Sequence, residues 1–240
     1  MKRVLIGVLT PSSNTALEPL TSAMLSGLHE VSAHFSRFRV TQIALHAQAL
    51  GQFQVEPILE AARLLADARV DVIAWSGTSS GWLGFEADQA LCEAVRKTTG
   101  VPCCTSVLAL NELMQRRGVR RFGLVTPYLD EVQAAIVSQY ARHGLDCVAE
   151  QHLGLQENFG FSEVPLDRLT GMVRTVAQAR PSCITTFCTN LRAAHLVPAW
   201  EAELGIPVYD TVSTAVWKAL RMCGVDTRRV QGWGSLFNHN

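Results

Sequence analysis

Three short segments recur in the same order along the 240-residue chain, and this repetition limits its possible folds more than any other feature. Gly7-Val-Leu-Thr-Pro11 returns as Gly123-Leu-Val-Thr-Pro127. Val72-Ile-Ala-Trp-Ser-Gly-Thr78 lies over Cys183-Ile-Thr-Thr-Phe-Cys-Thr189, and Thr99-Gly-Val-Pro102 over Leu204-Gly-Ile-Pro207. The offset between copies shrinks along the chain, as a few short deletions in the second copy would produce. A repeat this long is no solenoid unit. It indicates two similar halves.

Short apolar runs alternate with amphipathic stretches, the pattern of parallel α/β sheets. Strands buried on both faces are expected at Val4–Leu9, Val70–Trp75, Val101–Cys104, Phe122–Thr126, Cys183–Cys188 and Ile206–Tyr209. Arg39–Leu45 and Asp146–Leu153 are more polar and suit edge strands. Helical periodicity covers Val55–Ala68, Phe85–Thr98, Val107–Arg117, Asp130–His143, Pro165–Ala179, Ala193–Leu204 and Val212–Cys223. The expected fold is α/β, with two pseudo-symmetric parallel-sheet half-domains and the active site between them. Residues 1–106 plus 212–240 form the first half on this reading, and 107–211 the second.

Composition removes several classes of partner. Lys+Arg and Asp+Glu balance at 21 each and no basic run occurs, so nucleic acid is not expected. No stretch reaches the roughly 18 apolar residues of a membrane span. The opening MKRVLIGVLTPSSN holds too short an apolar run for a signal peptide and reads as a first strand, so a cytoplasmic protein is expected. The seven cysteines are odd in number and scattered, which argues against a disulfide framework. With no C-x2-C pair, no H-E-x-x-H, no Walker lysine and no G-x-G-x-x-G, neither a metal nor a cofactor is expected. Apolar surface between such halves leaves room for a homo-oligomer.

In open parallel sheets, ligands bind beyond the carboxyl ends of the strands. Pro11–Thr15, Ser76–Gly81, Thr126–Leu129 and Cys188–Arg192 all lie at such ends and would surround one cleft. Ser76-Gly-Thr-Ser-Ser-Gly81 combines hydroxyls with glycines, and its N–H groups could hold a carboxylate; the same residues suit an ordinary turn and helix cap. Cys188 stands where a strand meets a helix start, where the helix dipole would lower its pKa, but it also suits a core position like Cys183. In the two equivalent first loops, Asn14, Tyr128 and the serines after Pro11 are further donors or plain turn residues, with Pro11 lining the same cleft. Trp75, Trp82 and Phe187 belong either to an apolar pocket or to the core.

These halves, the Pro-Ser-Ser-Asn-Thr loop and Cys188 together resemble the aspartate/glutamate racemase superfamily, in its arylmalonate decarboxylase and maleate cis-trans isomerase branch. The resemblance runs from Ile6 to about Phe237. It implies an enzyme that needs no cofactor and acts at the carbon α to a carboxylate of a small (di)carboxylic acid. Racemases and isomerases of this kind use two cysteines on opposite faces of that carbon. Cys188 matches the second, while Gly77 stands in place of the first. The decarboxylase likewise has glycine, then Thr-Ser, and one cysteine. By that likeness Thr78, Ser79 and Tyr128 hold the retained carboxylate, with Gly77 and Thr189 beside them, and Cys188 protonates one face. Asn14 and Asn158 match isomerase positions that hold carboxylates, so isomerase, racemase and non-catalytic carboxylate-binding readings stand as alternatives. On the same reading, a cysteine at residue 77 restores the second acid/base group.

Overall fold

The computed structural model describes residues 3–238, so the expected outer limits of the first half lie outside the described residues. Its first sheet joins β1 (Val4–Pro11), β2 (Val31–Phe38), β3 (Val72–Trp75) and β4 (Cys103–Thr105) in the order β2-β1-β3-β4. The second joins β5 (Arg121–Thr126), β6 (Asp146–His152), β7 (Cys183–Thr186) and β8 (Val208–Asp210) in the order β6-β5-β7-β8. Every ladder is parallel. The α/β architecture of two matching parallel sheets read from the repeat is therefore the one observed.

The repeat extends to register. Gly7 pairs with Ile73 and Leu9 with Trp75 in the first sheet; Gly123 pairs with Ile184 and Val125 with Thr186 in the second. Trp75 then pairs with Thr105 as Thr186 does with Asp210. Even the turns agree, since Arg69 and Arg180 both take the left-handed conformation, at φ 52° and 49°. The repeated glycines have a packing cause. A Cβ at Gly123 would stand 2.2 Å from Val176 Cγ1, and one at Gly7 would stand 3.0 Å from Val70 Cγ2. Neighbouring side chains close directly onto the strands there, tightly at Gly7 and with no room for a Cβ at Gly123.

Ten helices surround the sheets among the described residues: α1 (Leu17–Leu25), α2 (Ala47–Leu50), α3 (Val55–Asp67), α4 (Ser80–Leu83), α5 (Phe85–Thr99), α6 (Ser106–Arg116), α7 (Asp130–Arg142), α8 (Leu166–Ala177), α9 (Val197–Leu204) and α10 (Thr211–Met222). Although α10 follows the last strand of the second sheet, it packs on β3 and β4 of the first sheet and on α1 and α6. Asp210 caps it, accepting from Val212 N at 2.8 Å and Ser213 N at 3.3 Å. No helix among the described residues is long and apolar enough to cross a membrane.

One expected strand is misplaced. The edge strand beside β1 is Val31–Phe38, whereas Arg39–Leu45 leaves the sheet. Its apolar residues are still buried, Val40 at 1% and Ile43 at 5% exposure, and from Thr41 to Ile43 its backbone meets the other half. Ile43 N donates to Gln156 O at 2.9 Å, Asn158 N donates to Thr41 O at 2.9 Å, and Gln42 bridges Glu157. The segment is an extended strap between halves, which is why its composition reads as a strand. A smaller difference lies at Ala193–Leu204, where the α-helix starts only at Val197 after a 3-10 turn.

Candidate active site

The strand-end loops of the two halves meet, and hydrogen bonds cross between them in a two-fold pattern. The hydroxyls of Thr78 and Tyr128 are 2.7 Å apart. In the mirrored position, Asn14 Nδ2 donates to Thr189 Oγ1 at 3.2 Å. Thus the threonine after Gly77 and the threonine after Cys188 each reach the first loop of the other half. Thr189 Oγ1 also donates to Ser76 O at 3.2 Å. Asn190 adds a third link, its Oδ1 accepting from Thr15 N at 2.9 Å and Ala16 N at 3.2 Å.

Cys188 lies in this junction, 3% exposed, and its thiol meets the Tyr128 hydroxyl. Burial pushes the thiol up to about 12, against the lowering effect of the Tyr128 hydroxyl and of the Asn190 and Leu191 N–H groups. The helix-dipole reading of the sequence expects the opposite direction. No helix begins at Cys188, because a turn and a short 3-10 segment separate it from α9, so desolvation dominates. At neutral pH Cys188 is an S–H group, the form that can give a proton. Burial likewise raises the Tyr128 phenol well above its usual range and keeps it a donor.

Thr78 and Ser79 are 5% and 6% exposed, and their backbone N–H groups make no hydrogen bond to the protein among the described residues. With the Thr78 and Tyr128 hydroxyls they form a compact set of donors beside the thiol. Trp82 stands edge-on to Tyr128 with ring centroids 5.4 Å apart. Phe187, by contrast, is core: it packs under Gly81, where a Cβ would come within 2.6 Å of its ring, and against Tyr140.

Asn14 and Asn158 are both buried and both engaged. Asn14 Oδ1 accepts from Ala16 N at 3.0 Å and Leu17 N at 2.9 Å at the start of α1, while its nitrogen holds Thr189. Asn158 Nδ2 donates to Ser13 Oγ at 2.8 Å, and its backbone carbonyl accepts from Asn190. Pro11 closes β1 next to these loops. Gly77 lies between Ser76 and Thr78, and here the structure departs from the simple picture of an open position. A Cβ on Gly77 would stand 2.0 Å from Trp75 Cζ2. A cysteine there does not fit while Trp75 keeps its place.

The sequence profile described as arylmalonate decarboxylase matches residues 6–237. The chain belongs to the arylmalonate decarboxylase family. The arylmalonate decarboxylase of Bordetella bronchiseptica is 29% identical over 189 residues, covering 78% of this chain and 79% of that protein. A maleate isomerase of Alcaligenes faecalis is 23% identical over 246 residues, covering 95% and 94%. A Nocardia farcinica maleate cis-trans isomerase variant, solved with a covalently bound succinylcysteine intermediate, has the same fold, with a TM-score of 0.90 at 22% identity over 99% of each chain. The chain is thus an enzyme of the family that unites these decarboxylases and isomerases.

One polar residue of this family member went unread in the sequence. Asp210 is fully buried near Cys188 and accepts from Thr186 Oγ1 at 2.7 Å. Its place before Thr-Val-Ser is a helix-cap signature that the sequence did show. Burial raises its carboxyl from 3.8 to about 6, against the Thr186 hydroxyl and the Val212 and Ser213 N–H groups. A raised carboxyl binds its proton more tightly when folded, so its stabilising effect is complete below about 3.8 and lost as pH climbs through about 6. Wild type should therefore lose on the order of 3 kcal/mol relative to Asp210→Asn between pH 4 and pH 7. Urea unfolding of both proteins across that range checks this, and a constant difference refutes it.

Proposed function

We propose that the chain decarboxylates a small 2-substituted malonate with an apolar substituent and protonates the product on one face. The observation that carries this reading is the buried S–H of Cys188 beside Tyr128 at the junction of the two halves, with no side chain at Gly77 to act from the other side. One carboxylate would sit against the Thr78 and Tyr128 hydroxyls and the N–H groups of Thr78 and Ser79. The other leaves as CO2, and the electrons of the broken C–C bond pass to the retained carboxylate as an enediolate. Fixed donors stabilise that charge as it forms, which helps the transition state more than the ground state. Cys188 Sγ–H then gives its proton to the α-carbon, and the thiolate recovers one from solvent.

A second reading, maleate isomerisation, is favoured by Asn14 and Asn158 and by a maleate isomerase relative that covers 95% of the chain. Against it, both amide nitrogens already donate within the protein. NMR in D2O with 2-methyl-2-phenylmalonate, maleate and the enantiomers of aspartate and glutamate separates the chemistries. The expected result is CO2 loss from the malonate, giving an α-deuterated acid of one handedness. Conversion of maleate to fumarate without malonate turnover would replace this reading with the isomerase one.

A further inference from the structure

Gly77 has no side chain, yet its side-chain space is filled. Besides Cζ2 at 2.0 Å, the Cε2 and Cη2 atoms of Trp75 lie 2.4 and 2.5 Å from where a Cβ would be. Non-bonded carbons sit at about 3.5–4.0 Å, so the indole edge and a residue-77 side chain exclude each other. Trp75 is held firmly: it ends β3, is 1% exposed and has its ring 5.1 Å from that of Phe38.

The second half shows the converse arrangement at the same register. There Thr186 takes the place of Trp75 and Cys188 that of Gly77. Thr186 is small and turns its hydroxyl to Asp210, which leaves space for the thiol two residues on. Bulk upstream and a side chain at the catalytic position thus trade against each other between the halves. A separate observation concerns Trp75 Nε1, which is bonded to Cε2 and so lies beside the same space. It is buried and has no hydrogen-bond partner among the described residues. Such an orphaned N–H is costly, and a ligand oxygen would satisfy it.

We propose that Trp75 is the residue that confines this site to one face: its indole edge occupies the place of a second acid/base side chain, and its Nε1–H donates to a substrate carboxylate oxygen. An indole N–H is a donor only, so it orients the substrate without returning a proton. The chemical consequence rests on the decarboxylase reading above, whereas the steric exclusion stands without it.

Four proteins test the steric part: wild type, Gly77→Cys, Trp75→Leu and the double variant. Gly77→Cys alone should lower the thermal midpoint by about 4–10 °C, the cost of overpacking a filled core. In the Trp75→Leu background the same change should cost less than about 2 °C. If Gly77→Cys alone does not fold while the double variant does, the exclusion is equally supported. An unchanged midpoint in Gly77→Cys, an equal loss in both backgrounds, or no folded protein with cysteine at 77 would overturn it. None of these readouts depends on turnover. Chemistry is read with one enantiomer of 2-phenylpropionate in D2O by chiral chromatography. Racemisation should be at least about tenfold faster in the double variant than in Gly77→Cys, since two opposed thiols can remove and return the proton. Equal rates overturn the facial role of Trp75. A wild type that leaves all phenylmalonates untouched sinks the decarboxylase reading and leaves the midpoints to judge Trp75. Finally, Trp75→Phe should weaken phenylacetate binding about tenfold by calorimetry through loss of one donor to a charged oxygen, and an unchanged Kd overturns the donor part.

Discussion

Alanine in place of Cys188 is expected to lower malonate turnover about a hundredfold or more, with no loss of folded protein. On the proposed mechanism the thiol supplies the proton that the α-carbon receives, and burial keeps it protonated at neutral pH. Without it, the enediolate must wait for water to enter a site whose lining is almost wholly buried. Cys183 is the control. It is fully buried and its thiol is also pushed up to about 12 by burial, yet it belongs to β7 and not to the strand-end loops. Cys183→Ala should therefore cost stability and spare kcat. Comparing 13C-bicarbonate release with thermal midpoints for both variants distinguishes the roles. Unimpaired turnover in Cys188→Ala would remove the proton-transfer mechanism.

Removing the donors beside the thiol should act on rate more than on affinity. Tyr128→Phe and Thr78→Ala are each expected to reduce kcat by about 10²–10³, the usual cost of one donor aimed at developing charge, with KM changing far less. Because the two hydroxyls share one hydrogen bond, the losses should not add. Either substitution leaves the other hydroxyl without its partner, so the double variant should be little worse than the poorer single one. Additive losses would mean that the two groups act on different oxygens. Unchanged kinetics in both would return the loop to a structural role.

Much of this arrangement was legible in the chain because the repeat carries it. Gly7 and Gly123 mark equivalent strand positions where side chains crowd in, and the parallel α/β order follows from the buried apolar runs. Three features were hidden, each for a tertiary reason. Val31–Phe38 is polar and mostly half-buried, so it looks less strand-like than the neighbouring Arg39–Leu45, whose β-branched residues serve the contact between halves. The direction of the Cys188 shift depends on burial and on where the next helix begins, and spacing reports neither. Trp75 could be assigned to pocket or core, but only coordinates show its ring covering the neighbouring glycine. The pairing of a large residue with glycine two positions later, against Thr-x-Cys in the other copy, was the available clue.

The cross-half hydrogen bonds also bear on how the enzyme comes into being. Asn14 and Thr189 are 175 residues apart in sequence, as are Thr15 and Asn190, and Ser13 and Asn158 are 145 apart. Each sheet can pair its strands from nearby chain, but these links must wait for the two halves to dock, since long loops close late. Catalytic competence thus depends on the docking of the halves as well as on the formation of each sheet. It is equally lost wherever that docking is lost, whatever becomes of the sheets.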